Sequence, residues 1–440
     1  MLKYILKRLG LSVIVLLGVS VIIYFLVRLM PADYLETKFS AQLQQGTITH
    51  DQLDDFKKRY GLYMPEAYLD VEISGGSHAN ESFRKDTKER KYEDASSGLI
   101  TYSEFYTGTY TSKSNENIAL IVDEKGTYKI VDQTTETATT LASGTYTADE
   151  NGLQMKESGV DFSSAVTYKE ATLWNKFTAV LSGYFSWLGN MLHGDLGDSF
   201  LYQKPVGTVI AEHMWVSFAI SLVALVLQFA IAIPMGITSA THQYSGIDYT
   251  VTVVTMIGIS LPSFFFAALL IKVFSNWLGW LPASGLVSGG SASEGLAHLL
   301  DMGQHLILPM IVLVVLSIGG LMRYTRTNML EVLNSDYIRT ARAKGLSEKK
   351  VIYVHAFRNT MIPLMTLLAG ILPSLFGGAM ITEEVFSIDG IGRLAYKALQ
   401  QGDVPFIMGY NMFLAVLTVI GTLLSDLMYA VVDPRVKLSK

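Results

Sequence analysis

The chain has 440 residues, 50% of them hydrophobic and only 17% charged, with a mean hydropathy of +0.32 and a formal net charge of −5. A soluble domain of this length normally carries less apolar and more charged residue, so the composition excludes an ordinary globular enzyme and indicates a membrane protein. The chain has no cysteine, which rules out disulfides and thiolate metal or redox sites, and no nucleic-acid partner is expected.

In chain order, Lys3, Lys7 and Arg8 precede a first apolar window at 9–29. A cleaved signal peptide shares the basic start and the apolar core. The run is long, however, and nothing like Ala-x-Ala precedes the polar region after Pro31, so a retained signal-anchor is the better reading. Polar sequence follows to about Glu212. Between Glu66 and Glu170 it holds 19 acidic and 10 basic residues, which leaves the rest of the chain net positive. Strand-like runs at 117–122, 127–132 and 145–147 are separated by turn signals at Glu124-Lys125-Gly126, Ala142-Ser143-Gly144 and Glu150-Asn151-Gly152. This pattern predicts a small antiparallel β domain. Residues 75–97 are polar and dense in charge and read as a mobile loop.

Five further apolar windows follow, at 210–239, 250–274, 306–322, 361–381 and 406–432. Each comes close to the roughly 20 residues that a bilayer core of about 30 Å requires. Six spans place both termini on one side. The basic start and Arg435, Lys437 and Lys440 after the last window make that side the cytoplasm. Pro262 and Pro373 fall inside windows and mark kinks. Gly319-Gly320 and Gly377-Gly378 read as close-packing sites, and Phe264 to Phe266, Trp277 and Trp280 as an interfacial belt and packing residues. Lys272 and Asp426, in the third and sixth windows, lie near enough to the ends of their spans to snorkel.

Between the fourth and fifth windows lies NSDYIRTARAKGLSEKKVIYVHAFRNTMIP, at 334–363. Ser335 is placed to accept from the free N–H groups of a helix starting at Asp336, whose charge suits the positive end of the helix dipole. That helix should run to Lys344. Gly345 is then the left-handed residue that ends it, and Ser347 caps a second helix from Glu348. Arg326, Arg339, Arg342, Lys344, Lys349, Lys350 and Arg358 outnumber Glu331, Asp336 and Glu348. This excess marks the cytoplasmic side and a docking surface.

The segment 337–363 resembles the cytoplasmic loop of the integral-membrane permease subunit of type I ABC importers, in the branch that handles di- and oligopeptides and nickel. The wider family writes that loop Glu-Ala-Ala, three residues, Gly, and later Ile-x-Leu-Pro. Here the positions read Arg339-Thr340-Ala341, Gly345 and Met361-Ile362-Pro363 at a longer spacing. The resemblance extends to LKYILKRLGLSVIVLLGVS at the start, DDFKKRYGLYMP at 54–65, FSWLGNMLHGDLGDSF and KPVGTVI within 185–210, LPSFFFAALLIKVFSNWLGWLPASG at 261–285, EEVFSIDGIGRLAYKALQQGDVP, and DLMYAVVDPRV. It covers nearly everything except 66–176.

The resemblance implies an all-α polytopic membrane protein of six transmembrane helices, the type I ABC importer permease fold, with an inserted extracytoplasmic, mainly β domain. Residues 1–31 are then the cytoplasmic N-terminus and first transmembrane helix, and 32–65 an extracytoplasmic linker. The β-rich insert is 66–176, followed by a second linker at 177–209. The permease core at 210–432 has five transmembrane helices and a coupling loop at 326–360, and 433–440 is a cytoplasmic tail. The implied location is the bacterial cell membrane, and the implied cargo is peptide, with nickel or another small solute as the alternative. The implied partners are a second homologous permease, two cytoplasmic ATPases that use ATP and Mg, and an extracytoplasmic substrate-binding protein. Tyr337, Arg339, Thr340, Ala341, Arg342, Ala343, Lys344, Gly345 and Leu346 are the implied ATPase-coupling residues. Arg339, Arg342 and Lys344 would meet acidic groups, while Ala341, Ala343 and Gly345 would let the backbones approach.

No phosphate-binding loop ending in Gly-Lys-Ser/Thr, no His-Glu-x-x-His and no Gly-x-Ser-x-Gly occurs in the chain. The chain is therefore expected to bind no cofactor, to hold no metal and to catalyse nothing itself. The rival reading is an ion-coupled secondary carrier. Carriers of that kind place carboxylates or histidines near mid-membrane, and these spans hold none.

Overall fold

A computed structural model describes residues 2–28, 60–134, 138–289 and 295–432, with short pieces between 39 and 58. The chain divides into two compact units, Asp33–Gly189 and a helical unit made of Met1–Ala32 with Asn190–Lys440. Each is described by itself.

In the first unit, eight strands, β1 (Ala67–Ile73), β2 (Ser82–Thr87), β3 (Gly108–Ser112), β4 (Ile118–Asp123), β5 (Thr127–Asp132), β6 (Thr139–Asp149), β7 (Gly152–Glu157) and β8 (Val160–Glu170), pair antiparallel in sequence order. They close into a barrel through β1 and β8. Alternation along the strands sends Leu69, Val71, Phe83, Tyr110, Leu120, Val122, Ile130, Leu153 and Met155 into one buried core. An eight-stranded barrel is just wide enough for side chains to fill it. Two short helices, Glu89–Ser96 and Tyr102–Tyr106, add Ala95, Phe105 and Tyr106 to the same core.

The expected antiparallel β domain is therefore present, with two corrections. The stretch expected to be a mobile loop, 75–97, holds β2 and the first of these helices. Its polar residues alternate with buried ones, such as Phe83, that one charge-dense average hides. The expected turn at 142–144 lies inside β6 instead. A Cβ on Gly144 would stand 2.0 Å from the Lys156 carbonyl and 2.8 Å from the Tyr128 ring, so the glycine is there for close approach and not for a turn. The turns at 124–126 and 150–152 connect β4 to β5 and β6 to β7 as expected.

Asp70 sits on the outward side of β1 yet is 1% exposed, because three cations cover it. Arg84 donates to it at 2.7 and 3.0 Å, with Lys113 at 2.9 Å and Lys169 at 3.2 Å. Burial by itself raises its pKa, but these hydrogen bonds outweigh burial and hold the carboxyl well below the usual carboxylate range. The stability this arrangement contributes is thus present above about pH 4, the ordinary aspartate value, and is lost as pH falls through the depressed one. Asp70→Ala is expected to destabilise the barrel by about 1–2 kcal/mol, since the three cations left without their counter-ion are 36–54% exposed and water screens their repulsion. Hydrogen exchange of the β1 and β8 amides in the full chain should accelerate at pH 7, and the difference from wild type should shrink towards pH 2.

The helical unit begins with α1 (Leu2–Arg28), which packs on the last helix. After a helix at Leu173–Leu192 that straddles the two units, α2 (Val206–Thr241) runs 36 residues with Pro234 inside it. Next come α3 (Gly246–Ser260) and α4 (Ser263–Leu270), the latter continuing as a π-helical stretch at Ile271–Trp277. The 38-residue α5 (Leu296–Leu333) follows. Then come α6 (Asp336–Ala343), α7 (Phe357–Gly377), α8 (Met380–Val385), α9 (Ile391–Gln401) and α10 (Val404–Val432).

By length and composition, four helices among the described residues can cross a membrane: α1, α2, α5 and α10. The expected span at 250–274 is a bent pair, α3 and α4, turning through 100°. Pro262 has no N–H to continue the ladder and pushes Leu261 into extended backbone, with φ −79° and ψ 129°. The expected span at 361–381 falls on α7, which stops at Gly377 because Gly378 takes φ +72°. Several α7 side chains, that of Asp426, and residues 29–38 and 433–440 lie outside the description. Of the expected packing glycines, Gly319 meets α3 closely while Gly320 faces open space.

Candidate functional site

The basic segment is built on the end of α5. Asn334 closes that helix, and Ser335, extended at φ −77° and ψ 152°, starts α6. Its hydroxyl does not accept from the new helix, as the sequence suggested. It donates back to the Val332 carbonyl at 2.5 Å, so the turn is tied to α5. Asp336 stands in the first turn, where its charge suits the dipole. Lys344 is the C-cap, and Gly345 takes φ +76°, the left-handed conformation the sequence called for. Ser347 leads into a helical turn at Glu348–Lys350, a π-helical stretch at Val351–Ala356, and then α7 without a break.

Two faces of α6 differ sharply. Ile338 and Ala341 are buried against Ile237 and Ala240 of α2, Met329 of α5, and Val351 and Ala356. Leu346 packs on the edge of the same cluster. Ala341 therefore serves this chain's own core and is out of a partner's reach. Tyr337, Arg339, Thr340, Arg342, Ala343, Lys344 and Gly345 are exposed together on the other side. Arg342 donates to Glu348 at 2.7 and 3.3 Å across the Gly345 turn, which keeps the glutamate's pKa below and the arginine's above their ordinary values. Arg339 lies 3.5 Å from Asp336. Exposed pairs of this kind are worth only about 0.2–1 kcal/mol each, so both arginines can exchange partners. Among the described residues, Lys344, Lys349 and Lys350 form no ion pair. The face is cationic and open.

Three buried carboxylates had no place in the sequence reading. Glu383 of α8, 1% exposed, accepts from the Ser217 hydroxyl at 2.8 Å and from the Ala379 and Arg393 N–H groups at 2.9 and 3.0 Å. Asp403 accepts from the Ser199 hydroxyl and the Leu201 N–H and so ties the 199–201 turn to the start of α10. Asp248 pairs with Arg326 at 2.8 and 2.9 Å. Ionisable residues beside apolar windows were the available signal. Among the described residues no group of three or more His, Asp or Glu is arranged to hold a metal ion.

Residues 232–438 match the family described as binding-protein-dependent transport system inner membrane component. Over 255 residues the chain is 42% identical to the oligopeptide transport system permease protein AppB of Bacillus subtilis (strain 168), covering 58% of this chain and 79% of that one. Over 274 residues it is 35% identical to the dipeptide transport system permease protein DppB of Escherichia coli (strain K12), covering 58% and 81%. A solved chain from inward facing conformations of the MetNI methionine ABC transporter aligns with a TM-score of 0.39 at 15% identity, over 51% of this chain and 96% of that one. With several apolar spans and relatives matched over more than three quarters of their length, the chain is a multi-pass membrane protein that belongs to the binding-protein-dependent transport system inner membrane components, the permease subunits of ABC importers.

Proposed function

We propose that this chain is a peptide-importing permease subunit that receives the stroke of cytoplasmic ATPases through α6. The observation that carries the reading is the two-faced character of that helix. Its inner face is locked into α2, α5 and the start of the return helix, while its outer face offers exposed cations, Arg339 and Arg342 in weak exchangeable pairs and Lys344 at the helix end. A partner gripping the outer face moves the inner one, and packed helices pass on such a displacement as rigid bodies. Arg339, Arg342 and Lys344 meet acidic groups on the ATPase, and Ala343 and Gly345 admit its backbone. Peptide cargo follows from the relatives named oligopeptide and dipeptide permeases.

In this reading a second permease completes the pathway, a binding protein delivers cargo from outside, and two ATPases consume ATP with Mg while this chain binds neither. The termini and residues 326–360 are cytoplasmic in the bacterial cell membrane, and the barrel is extracytoplasmic, as the excess of Lys and Arg around α6 supports. The test is reconstitution. The chain with its partners should take up peptide only with hydrolysable ATP, and the chain alone should neither hydrolyse ATP nor move peptide down an imposed proton gradient. Gradient-driven uptake by the chain alone would decide for a secondary carrier. On intact cells, after outer-membrane permeabilisation where one exists, an impermeant thiol label should reach cysteines introduced within 66–176 and miss those at 340–350. Labelling at 340–350 from outside would overturn the orientation.

A further inference from the structure

At the end of the helical unit where α6 docks, α2, α3 and α5 are latched by one ion pair. Arg326 of α5 donates from Nε to Asp248 Oδ1 at 2.9 Å and from Nη2 to Oδ2 at 2.8 Å. The Ser239 hydroxyl of α2 also donates to Oδ1, and Arg326 Nε lies 3.0 Å from that hydroxyl. The Tyr244 N–H, from a residue at φ +62° in the turn between α2 and α3, reaches Oδ2 at 3.0 Å. Asp248 is 4% exposed. A two-pronged pair with both carboxylate oxygens further occupied has a fixed direction, unlike a screened surface contact.

Beyond this latch the three helices meet nearly backbone to backbone. A Cβ on Gly236 of α2 would stand 2.7 Å from the Thr325 side chain and 2.8 Å from the Met322 carbonyl. A Cβ on Gly258 of α3 would stand 2.8 Å from the Val315 carbonyl, and one on Gly319 of α5 would stand 2.8 Å from the Thr255 carbonyl. The apolar cluster around α6 contains residues of α2 and α5, but among the described residues none of α3. At this end the polar contacts that tie α3 to α2 and α5 run through Asp248. Arg326 lies seven residues before the end of α5, about 10 Å along the axis from where α6 begins.

We infer that Asp248 and Arg326 are positioning residues for coupling: they tie α3 and the turn before it to the helices on which α6 rests, so that α2, α3 and α5 reorient as one body. The inference rests on the coupling reading of α6. Past the latch α3 stays packed on α5 through Gly258 and Gly319, so a loosened latch frees the first turn of α3 and the turn before it from the helices under α6, and ATP is hydrolysed with little transport.

The experiment uses the complete complex in liposomes and reads peptide moved per ATP hydrolysed. Asp248→Asn and Arg326→Gln should assemble with the ATPases and still hydrolyse ATP while the ratio falls about tenfold, a typical size for a coupling term. Arg326→Lys keeps the charge but loses the two-pronged geometry, and should give an intermediate ratio. A wild-type ratio in both neutral variants would overturn the inference. So would a reduced amount of complex whose surviving fraction has a normal ratio, because that is what a purely structural pair produces. Uptake by the wild-type complex that does not depend on ATP would instead remove the coupling reading itself, and this inference with it.

Discussion

Gly345→Val is expected to leave a normally abundant permease that transports little and holds its ATPases loosely. Gly345 lies at φ +76°, where a side chain costs roughly 1–2 kcal/mol and a β-branched one more. A Cβ there would meet nothing within 4 Å in this chain, so no clash adds to the backbone strain, and the apolar spans are untouched. The strain is relieved by swinging the end of α6 or the Ser347 turn, which displaces the Arg342–Glu348 clasp and the lysines beside it. Uptake and substrate-stimulated ATP hydrolysis should fall together by on the order of tenfold, the effect of about 1.4 kcal/mol at the docking face. Asn tolerates positive φ, so Gly345→Asn should keep the helix end and still weaken ATPase retention, which isolates the contact from the backbone. Charge reversal at Arg342 or Lys344 should weaken docking most at low salt, where screening is least. A Gly345→Val protein with normal uptake would show that the segment is a capped loop and nothing more.

The largest loss of stability is expected at Glu383, far in sequence from that loop. Glu383→Ala leaves the Ser217 hydroxyl and the Ala379 and Arg393 N–H groups without acceptors in a buried site and opens a void. Orphaned donors cost about 1–3 kcal/mol each when they cannot relax, and breaking a buried network of this kind costs about 3–5 kcal/mol in all. Glu383→Gln keeps the shape but turns an NH2 group towards a donor, so its cost should be about 1–3 kcal/mol. The surroundings leave no slack. A Cβ on Gly378, Gly390 or Gly392 would come within 2.5, 2.5 or 2.9 Å of a Glu383 carboxyl oxygen. Gly390→Ala should therefore resemble Glu383→Ala. After detergent extraction, both proteins should aggregate at temperatures the wild type survives, with Glu383→Gln in between. Equal heat resistance of Glu383→Ala and wild type would show that the carboxyl contributes nothing to the packing of α8 and α9 on α2.

What was legible in the sequence is what depends on neighbours along the chain. Apolar windows of about 20 residues announced α1, α2, α5 and α10, because bilayer thickness acts on each helix separately. Hairpin turns at 124–126 and 150–152 and the left-handed Gly345 were visible because each is set within a few residues. Even there, Ser335 satisfied α5 and not α6, a choice between two partners equally near in sequence. Pro262 announced a break but not its 100° angle, which depends on where α4 finds packing. Closure of the barrel joins β1 to β8 across about a hundred residues. Asp70 is paired only because Arg84 of β2, Lys113 just after β3 and Lys169 of β8 are brought to it. The same holds for Glu383 beneath Ser217 and for Asp248 beneath Arg326. The inward turn of Ala341 likewise depends on Ile237 and Met329 being there to receive it. Local sequence determined which segments are apolar, helical or turned, since those preferences are properties of a few consecutive residues. Tertiary structure alone decided which charges are paired and which face of α6 is free, because burial and hydrogen bonding are set by groups that only the folded chain brings together.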